Sequence, residues 1–149
     1  MSNQQEILAL AQKRAVEKDL PYTGALTPEE AFELLQADPQ VVLVDVRSQA
    51  ELDLVGRIPS VQNIEWAFYP GMVANPDFAA QLQAQVDKKL TVIFMCRTGG
   101  RSHNAAVVAD KLGYDSVYNM LEGFEGEANE LKQRTMINGW KHAGLPWTN

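Results

Sequence analysis

Hydrophobic and polar positions alternate along this chain with two periods, and each period marks a run of elements. Ile7, Leu8, Leu10, Ala11, Ala15 and Val16 are spaced three and four apart. That spacing predicts an amphipathic helix in an N-terminal extension over residues 1–20, packed on the domain or on a partner. From Tyr22 the signals become denser. Thr27, Pro28 and Glu30 form a capping box with proline at the first helical position, Ala31, Leu34 and Leu35 supply a buried stripe, and Pro39 stops the helix after Asp38. Val41 to Val46 is nearly continuous β-branched sequence, the signature of a strand buried on both faces of a parallel sheet.

The same grammar repeats downstream. Ser48 and Glu51 make a second capping box for a short helix ending near Gly56, and "SVQNI" reads as a weak strand. Asn75 is expected to cap a helix with Pro76 in its first position and Phe78, Leu82 and Val86 on one face. "LTVIFM" is a second buried strand, followed by a small-residue helix from Ser102 to Leu112 that Gly113 ends. "SVYN" is a further short strand, and the remainder is read as a helix interrupted by a polar loop. Strand and helix alternate throughout, so the expected class is α/β with a mostly parallel sheet, in one domain over residues 21–149.

Composition narrows the function classes. With 149 residues, 46% hydrophobic and 21% charged, the chain suits one ordinary globular domain. A formal charge of -6 argues against a general affinity for nucleic acid, and no apolar run approaches the roughly 20 residues that span a bilayer. One cysteine and two histidines, His103 and His142, cannot make a metal cluster, and no cofactor is expected. The opening segment carries Glu6 and lacks both a basic start and an apolar core, unlike a secretory signal. With a free thiol, this leads to the expectation of a cytoplasmic protein.

The chemistry concentrates in "CRTGGRS". Cys96 ends an apolar strand, where ligands bind in open α/β sheets. A lone cysteine there is ordinarily an inert core residue. Here it is followed by Arg97, Thr98, Gly99, Gly100, Arg101 and Ser102. Adjacent glycines allow successive N–H groups to turn inward as an anion nest, the next helix adds its positive end, and two arginines add full charges. The loop is suited to hold a sulfur anion, the nucleophilic form of cysteine. Neither histidine is placed for a Cys–His dyad, and no Gly-Lys-Ser/Thr follows to make a nucleotide loop. What remains is attack by a thiolate on an electrophile that needs no general base.

These residues resemble a single-domain rhodanese, a thiosulfate sulfurtransferase. The resemblance rests on "CRTGGRS" after a buried strand, "DVRSQAELDLVGRIPSVQNI" before it, and "NMLEGFEG" with "NGWKHAGLPW" after it, and it runs from about Tyr22 to Trp147. It implies a rhodanese-like, mostly parallel five-stranded sheet flanked by helices. It also implies that Cys96 accepts a sulfane sulfur as a persulfide, that backbone N–H groups from Arg97 to Arg101 cradle the outer sulfur, and that Arg97 and Arg101 attract a small anionic donor such as thiosulfate. Asp45 and Arg47 match the family's Asp-x-Arg, for which loop support is expected through bidentate hydrogen bonds. Ser102 is assigned to loop support as well. Related cysteine phosphatases use Cys-x5-Arg, whereas Cys96 to Arg101 is Cys-x4-Arg, a smaller ring suited to one sulfur atom. The implied acceptor is a thiophilic small molecule or a sulfur-acceptor protein. In the second case the chain would act as a persulfide carrier.

Three departures stand out. Arg57 and Ser60 occupy positions where the family usually has histidine and glycine, and an exposed Arg57 is expected to alter donor access. The segment over residues 125–139 is longer than in the smallest such domains and is read as a surface insertion, with covering the site or contacting a partner as alternatives. Trp66, Phe68 and Tyr69 are expected either to form an apolar rim near Cys96 or, for at least two of the three, to pack in the core.

Overall fold

The computed structural model describes residues 3–149. Five parallel strands form one sheet in the order β1 (Gly24–Leu26), β7 (Ser116–Met120), β6 (Thr91–Met95), β2 (Val41–Asp45), β3 (Gln62–Asn63). The three central strands are the long ones, 5 residues each, and each is buried on both faces. Val92, Phe94 and Cys96 point into one core with Val44, Val46 and Val117, closed by helices α4 (Phe78–Gln85) and α5 (Gly100–Lys111) through Leu82, Ala105 and Ala109. Ile93 and Met95 point the other way, to Leu43, Tyr118 and Met120, under α1 (Asn3–Glu17) and α2 (Pro28–Ala37). Burial of each large apolar side chain contributes roughly 1.5–3 kcal/mol.

Helix starts follow the sequence where a capping box is present. The Glu30 N–H donates to Thr27 Oγ1 at 3.3 Å while the Thr27 N–H donates to the Glu30 carboxylate at 2.9 Å. The same reciprocal pair, Ser48 with Glu51, opens α3 (Gln49–Val55). α1 lies so close to β1 that a Cβ on Gly24 would come within 2.8 Å of the Ala11 backbone. Arg14 ties α1 to α2 through Glu30 at 2.6 and 3.0 Å. On α1, Ile7, Ala11 and Ala15 are buried, whereas Leu10 and Val16 of the expected stripe face outward.

Other boundaries differ from the expectation. α4 starts at Phe78, with Asp77 rather than Asn75 as its N-cap. The buried Asn75 amide instead donates to Glu65 O at 2.8 Å and Gln81 Oε1 at 2.9 Å, which anchors the preceding loop. α5 starts at Gly100, so Ser102 lies inside its first turn. Two short strands, β4 (Ala67–Phe68) and β5 (Val73–Ala74), pair as an antiparallel ribbon. Beyond β7 the described chain forms no helix, in contrast to the interrupted helix expected there. Gly123, Gly126, Gly139 and Gly144 all have positive φ, a backbone state that breaks a helix, and Trp140 is buried as an anchor whose indole donates to Pro146 O at 2.8 Å.

Candidate active site

The chain leaves β2 toward β3 on one side of the sheet and leaves β6 toward β7 on the other, so β2 and β6 part at their carboxyl ends. Such a switch point is where α/β sheets bind ligands, and Asp45 and Cys96 stand there, Asp45 in register with Met95. The loop from Cys96 to Gly100 closes directly into α5. Gly99 adopts φ +117°, a conformation that side-chain-bearing residues rarely hold, while Gly100 does not have positive φ. The segment after β7 braces the loop from the side: Phe124 N donates to Cys96 O at 2.9 Å and Glu125 N to Arg97 O at 3.0 Å. Gly123 makes this possible, since a Cβ there would lie 2.4 Å from Arg97 O.

Cys96 is buried, with 1% of its surface exposed. Its Sγ accepts a hydrogen bond from Gly99 N–H at 3.1 Å, and Ser102 Oγ stands 3.4 Å away. Ser102 Oγ also donates to Asn119 Oδ1 at 2.6 Å, and Asn119 Nδ2 donates to Gly99 O at 3.3 Å. Asn119 therefore binds both the serine and the loop backbone. The sequence reading did not single it out, although period-2 parity marks it: Asn119 is in register with Phe94 and lies on the same sheet face as Cys96. Tyr22 completes the group. Its hydroxyl lies 2.7 Å from His103 Nδ1, and burial raises the phenol's pKa, partly offset by its hydrogen bond to Asn119.

Two carboxylate–guanidinium pairs flank the loop. Asp45 and Arg47 are both buried: Arg47 Nε donates to the carboxylate at 3.0 and 3.1 Å and Nη2 at 2.7 Å, and Nη2 also reaches Gly56 O at 2.9 Å. Arg47 stacks on the Phe124 ring at 4.1 Å. Arg101 is bound at its two Nη atoms by Glu51, at 2.7 and 2.9 Å, so much of the charge expected to draw a donor is compensated locally. Burial raises the Glu51 pKa, but the Arg101 hydrogen bond and charge, with the Ser48 N–H and hydroxyl, outweigh it and hold the carboxyl down to about 2. Burial lowers the Arg101 pKa and Glu51 more than reverses it, so the net shift is upward. Arg97, Thr98 and Gly100 are exposed.

A cleft of 430 Å³ opens over the loop, lined by Arg97, Arg101, Glu51, Glu125, Tyr69 and Met72 among others. Of the three aromatic residues, only Trp66 packs inward, against Phe78 at 5.0 Å between ring centroids. Phe68 and Tyr69 are 37% and 64% exposed on the β4–β5 ribbon, so the expected core packing of two of the three does not hold and Tyr69 forms part of the rim. Arg57 turns to Asp53 and pairs its backbone with Thr148, away from the cleft-lining residues. Among the described residues no three His, Cys, Asp or Glu side chains are grouped to hold a metal ion, and no helix is long and apolar enough to cross a membrane.

Comparison with known proteins agrees with this arrangement. The model of the rhodanese-like domain matches residues 27–130. The thiosulfate sulfurtransferase GlpE of Actinobacillus succinogenes is 30% identical over 121 residues, covering 81% of this chain and 86% of the relative. An uncharacterized protein of Rickettsia conorii is 34% identical over 120 residues, covering 79% and 91%. The crystal structure of Rv0390 from M. tuberculosis superimposes with a TM-score of 0.79 at 40% identity, over 85% of this chain and 98% of that one. The chain belongs to the rhodanese-like family, and its five-stranded parallel sheet is that family's fold.

Proposed function

We propose, from its membership of the rhodanese-like family and the geometry around Cys96, that this chain moves a sulfane sulfur through a persulfide on that cysteine. The Cys96 thiolate attacks the outer sulfur of a donor such as thiosulfate. A bond forms between Sγ and that sulfur, the donor's S–S bond breaks, and its electron pair leaves with sulfite. In the second half of the ping-pong cycle, a thiophilic acceptor, cyanide or a thiol, attacks the outer sulfur and the electron pair returns to Sγ. The observation that carries this reading is the Gly99 N–H aimed at Sγ at 3.1 Å inside a loop one residue shorter than Cys-x5-Arg. The sulfur thus has a fixed donor on a preformed turn, and the ring is sized for one sulfur rather than a tetrahedral oxyanion.

Intact-protein mass after incubation with thiosulfate, then cyanide, tests it. One added sulfur atom that cyanide removes and that Cys96→Ser never acquires is the expected outcome. Turnover retained in Cys96→Ser would sink the reading. A second reading, a persulfide carrier for a dedicated acceptor protein, draws on the exposed Tyr69, Met72 and Val73 beside the cleft. Very slow turnover with small molecules, together with a tight complex with such a protein, would favour it.

A further inference from the structure

Resting on the sulfurtransferase reading, the geometry points to the acceptor: we propose that the cleft takes a small zwitterionic thiol of the amino-acid type, with Glu125 holding its ammonium group and Arg97 its carboxylate.

Four charged side chains line the cleft, and they divide unequally. Arg101 and Glu51 neutralise one another in a two-point contact. Arg97 and Glu125 have no hydrogen bond or ion pair on their side chains among the described residues. They are nevertheless neighbours, because Glu125 N–H donates to Arg97 O at 3.0 Å. Opposite charges on neighbouring residues often meet; here the backbones are fixed against one another while the two side chains form no ion pair. Arg97 O also accepts from Gly126 N at 3.3 Å, and Glu125 O accepts from Thr135 N at 2.7 Å, so both ends of Glu125 are fixed. An unpaired cation and an unpaired anion thus stand at adjacent backbone positions on the cleft wall, next to the loop that carries Cys96.

That pair selects by sign. A dianionic molecule gains from Arg97 but is opposed by Glu125, and a cation meets the reverse. A molecule bearing both charges satisfies both, and its specificity comes as much from the repulsion of the others as from its own contacts. The guanidinium matches a carboxylate in two-point geometry. Tyr69, Met72 and Val55 supply the apolar wall for the carbon stem that carries the thiol down to the loop. The acceptor thiolate attacks the outer sulfur of the Cys96 persulfide. A new S–S bond forms, the Sγ–S bond breaks, and its electron pair stays on Sγ, leaving an acceptor persulfide and a regenerated thiolate. The proton of the acceptor thiol goes to solvent before attack, and no oxidant is needed.

The experiment loads Cys96 with thiosulfate, confirms the added sulfur by mass, and follows single-turnover discharge to cysteine, cysteamine, 3-mercaptopropionate and 2-mercaptoethanol at equal thiolate concentration. Cysteine is expected to be the fastest by about tenfold, a difference of about 1.4 kcal/mol. In Glu125→Gln the advantage of cysteine over 3-mercaptopropionate falls about tenfold, while loading by the thiosulfate dianion becomes faster. In Arg97→Gln the advantage of cysteine over cysteamine falls instead. Equal rates for the four thiols, equal losses on all of them in Glu125→Gln, or a protein dithiol that discharges the persulfide far faster than cysteine would overturn the inference. If Cys96 takes up no sulfur at all, the sulfurtransferase reading itself fails and this inference with it. Loading and discharge to cyanide without discrimination among the thiols defeats this inference alone.

Discussion

Asp45–Arg47 and Glu51–Arg101 are two carboxylate–guanidinium pairs beside one loop, and burial gives them different work. In the first, Asp45 is 2% and Arg47 0% exposed, and the aspartate accepts from the arginine side chain and from the Arg47 backbone N–H at 3.0 Å. The second stands at the wall of the cleft, with Glu51 18% and Arg101 19% exposed. In a dry interior neither partner can lose the other without leaving a bare charge, so the inner pair fixes geometry. At the wall, water and substrate compete for the same groups, so the outer pair sets how much charge the cleft shows. Each carboxylate–arginine pair here takes its role from its dielectric surroundings.

Breaking the inner pair gives the largest effect. Asp45→Asn keeps the shape and removes the counter-charge, stranding Arg47 in the core. Loss of about 3–5 kcal/mol is expected, a large part of a typical stability of about 5–15 kcal/mol. Urea unfolding measures it. The ring of Phe124 does not replace the carboxylate, since a desolvated cation–π contact contributes on the order of 2 kcal/mol and leaves the guanidinium N–H groups without their acceptor. An unchanged midpoint would mean that the pair does not support the fold.

The outer pair answers to pH. Glu51 is held at about 2 against an ordinary 4.5, so its folded pKa is depressed. Its contribution is complete above pH 4.5 and is lost as pH falls toward 2. At 1.36 kcal/mol per pKa unit the upper bound is roughly 3 kcal/mol, which screening by water at the cleft wall reduces. Glu51→Gln should therefore flatten the acid limb of the stability curve between pH 4.5 and 2, with the difference from wild type vanishing near pH 2. Equal acid slopes in the two proteins would remove Glu51 from the linkage.

How much of this was legible depends on the range of the contact that carries each feature. The capping boxes at Thr27 and Ser48, the two apolar strands and the Cys96 loop are local patterns, and the sequence displays them directly. The weak strand read in "SVQNI" is the 2-residue edge β3, whereas β1, 3 residues long, is too short for a periodic signal and is recognised only through its register with Tyr118 to Met120. Arg101 looked like a free cation because its partner Glu51 is 50 residues away and was already assigned to a cap. Asn119 was hidden by its place in an apolar strand, where its polarity and its parity with Phe94 and Cys96 were the clues. The C-terminal segment, expected as an interrupted helix, is shaped instead by glycines at positive φ and by the burial of Trp140.

The smallest expected effect is the most discriminating, because it has opposite signs on the two partners of the outer pair. Arg101→Ala removes a cation and also releases the Glu51 carboxylate into the cleft, so a thiosulfate dianion meets a net change of charge against it. Glu51→Gln removes the anion and leaves Arg101 free to offer its charge. Apparent KM for thiosulfate should rise about 3–10-fold in the first and fall about 3-fold in the second. These factors correspond to roughly 1 kcal/mol, the usual scale for a charge at a hydrated wall. The paired design is needed because a rise in Arg101→Ala alone would also follow from a loosened loop. A loosened loop would not make Glu51→Gln bind the donor better. If both variants raise KM, the pair is a brace for the helix start at Ser48 and for the first turn of α5, and its two charges act together as structure, as those of Asp45 and Arg47 do.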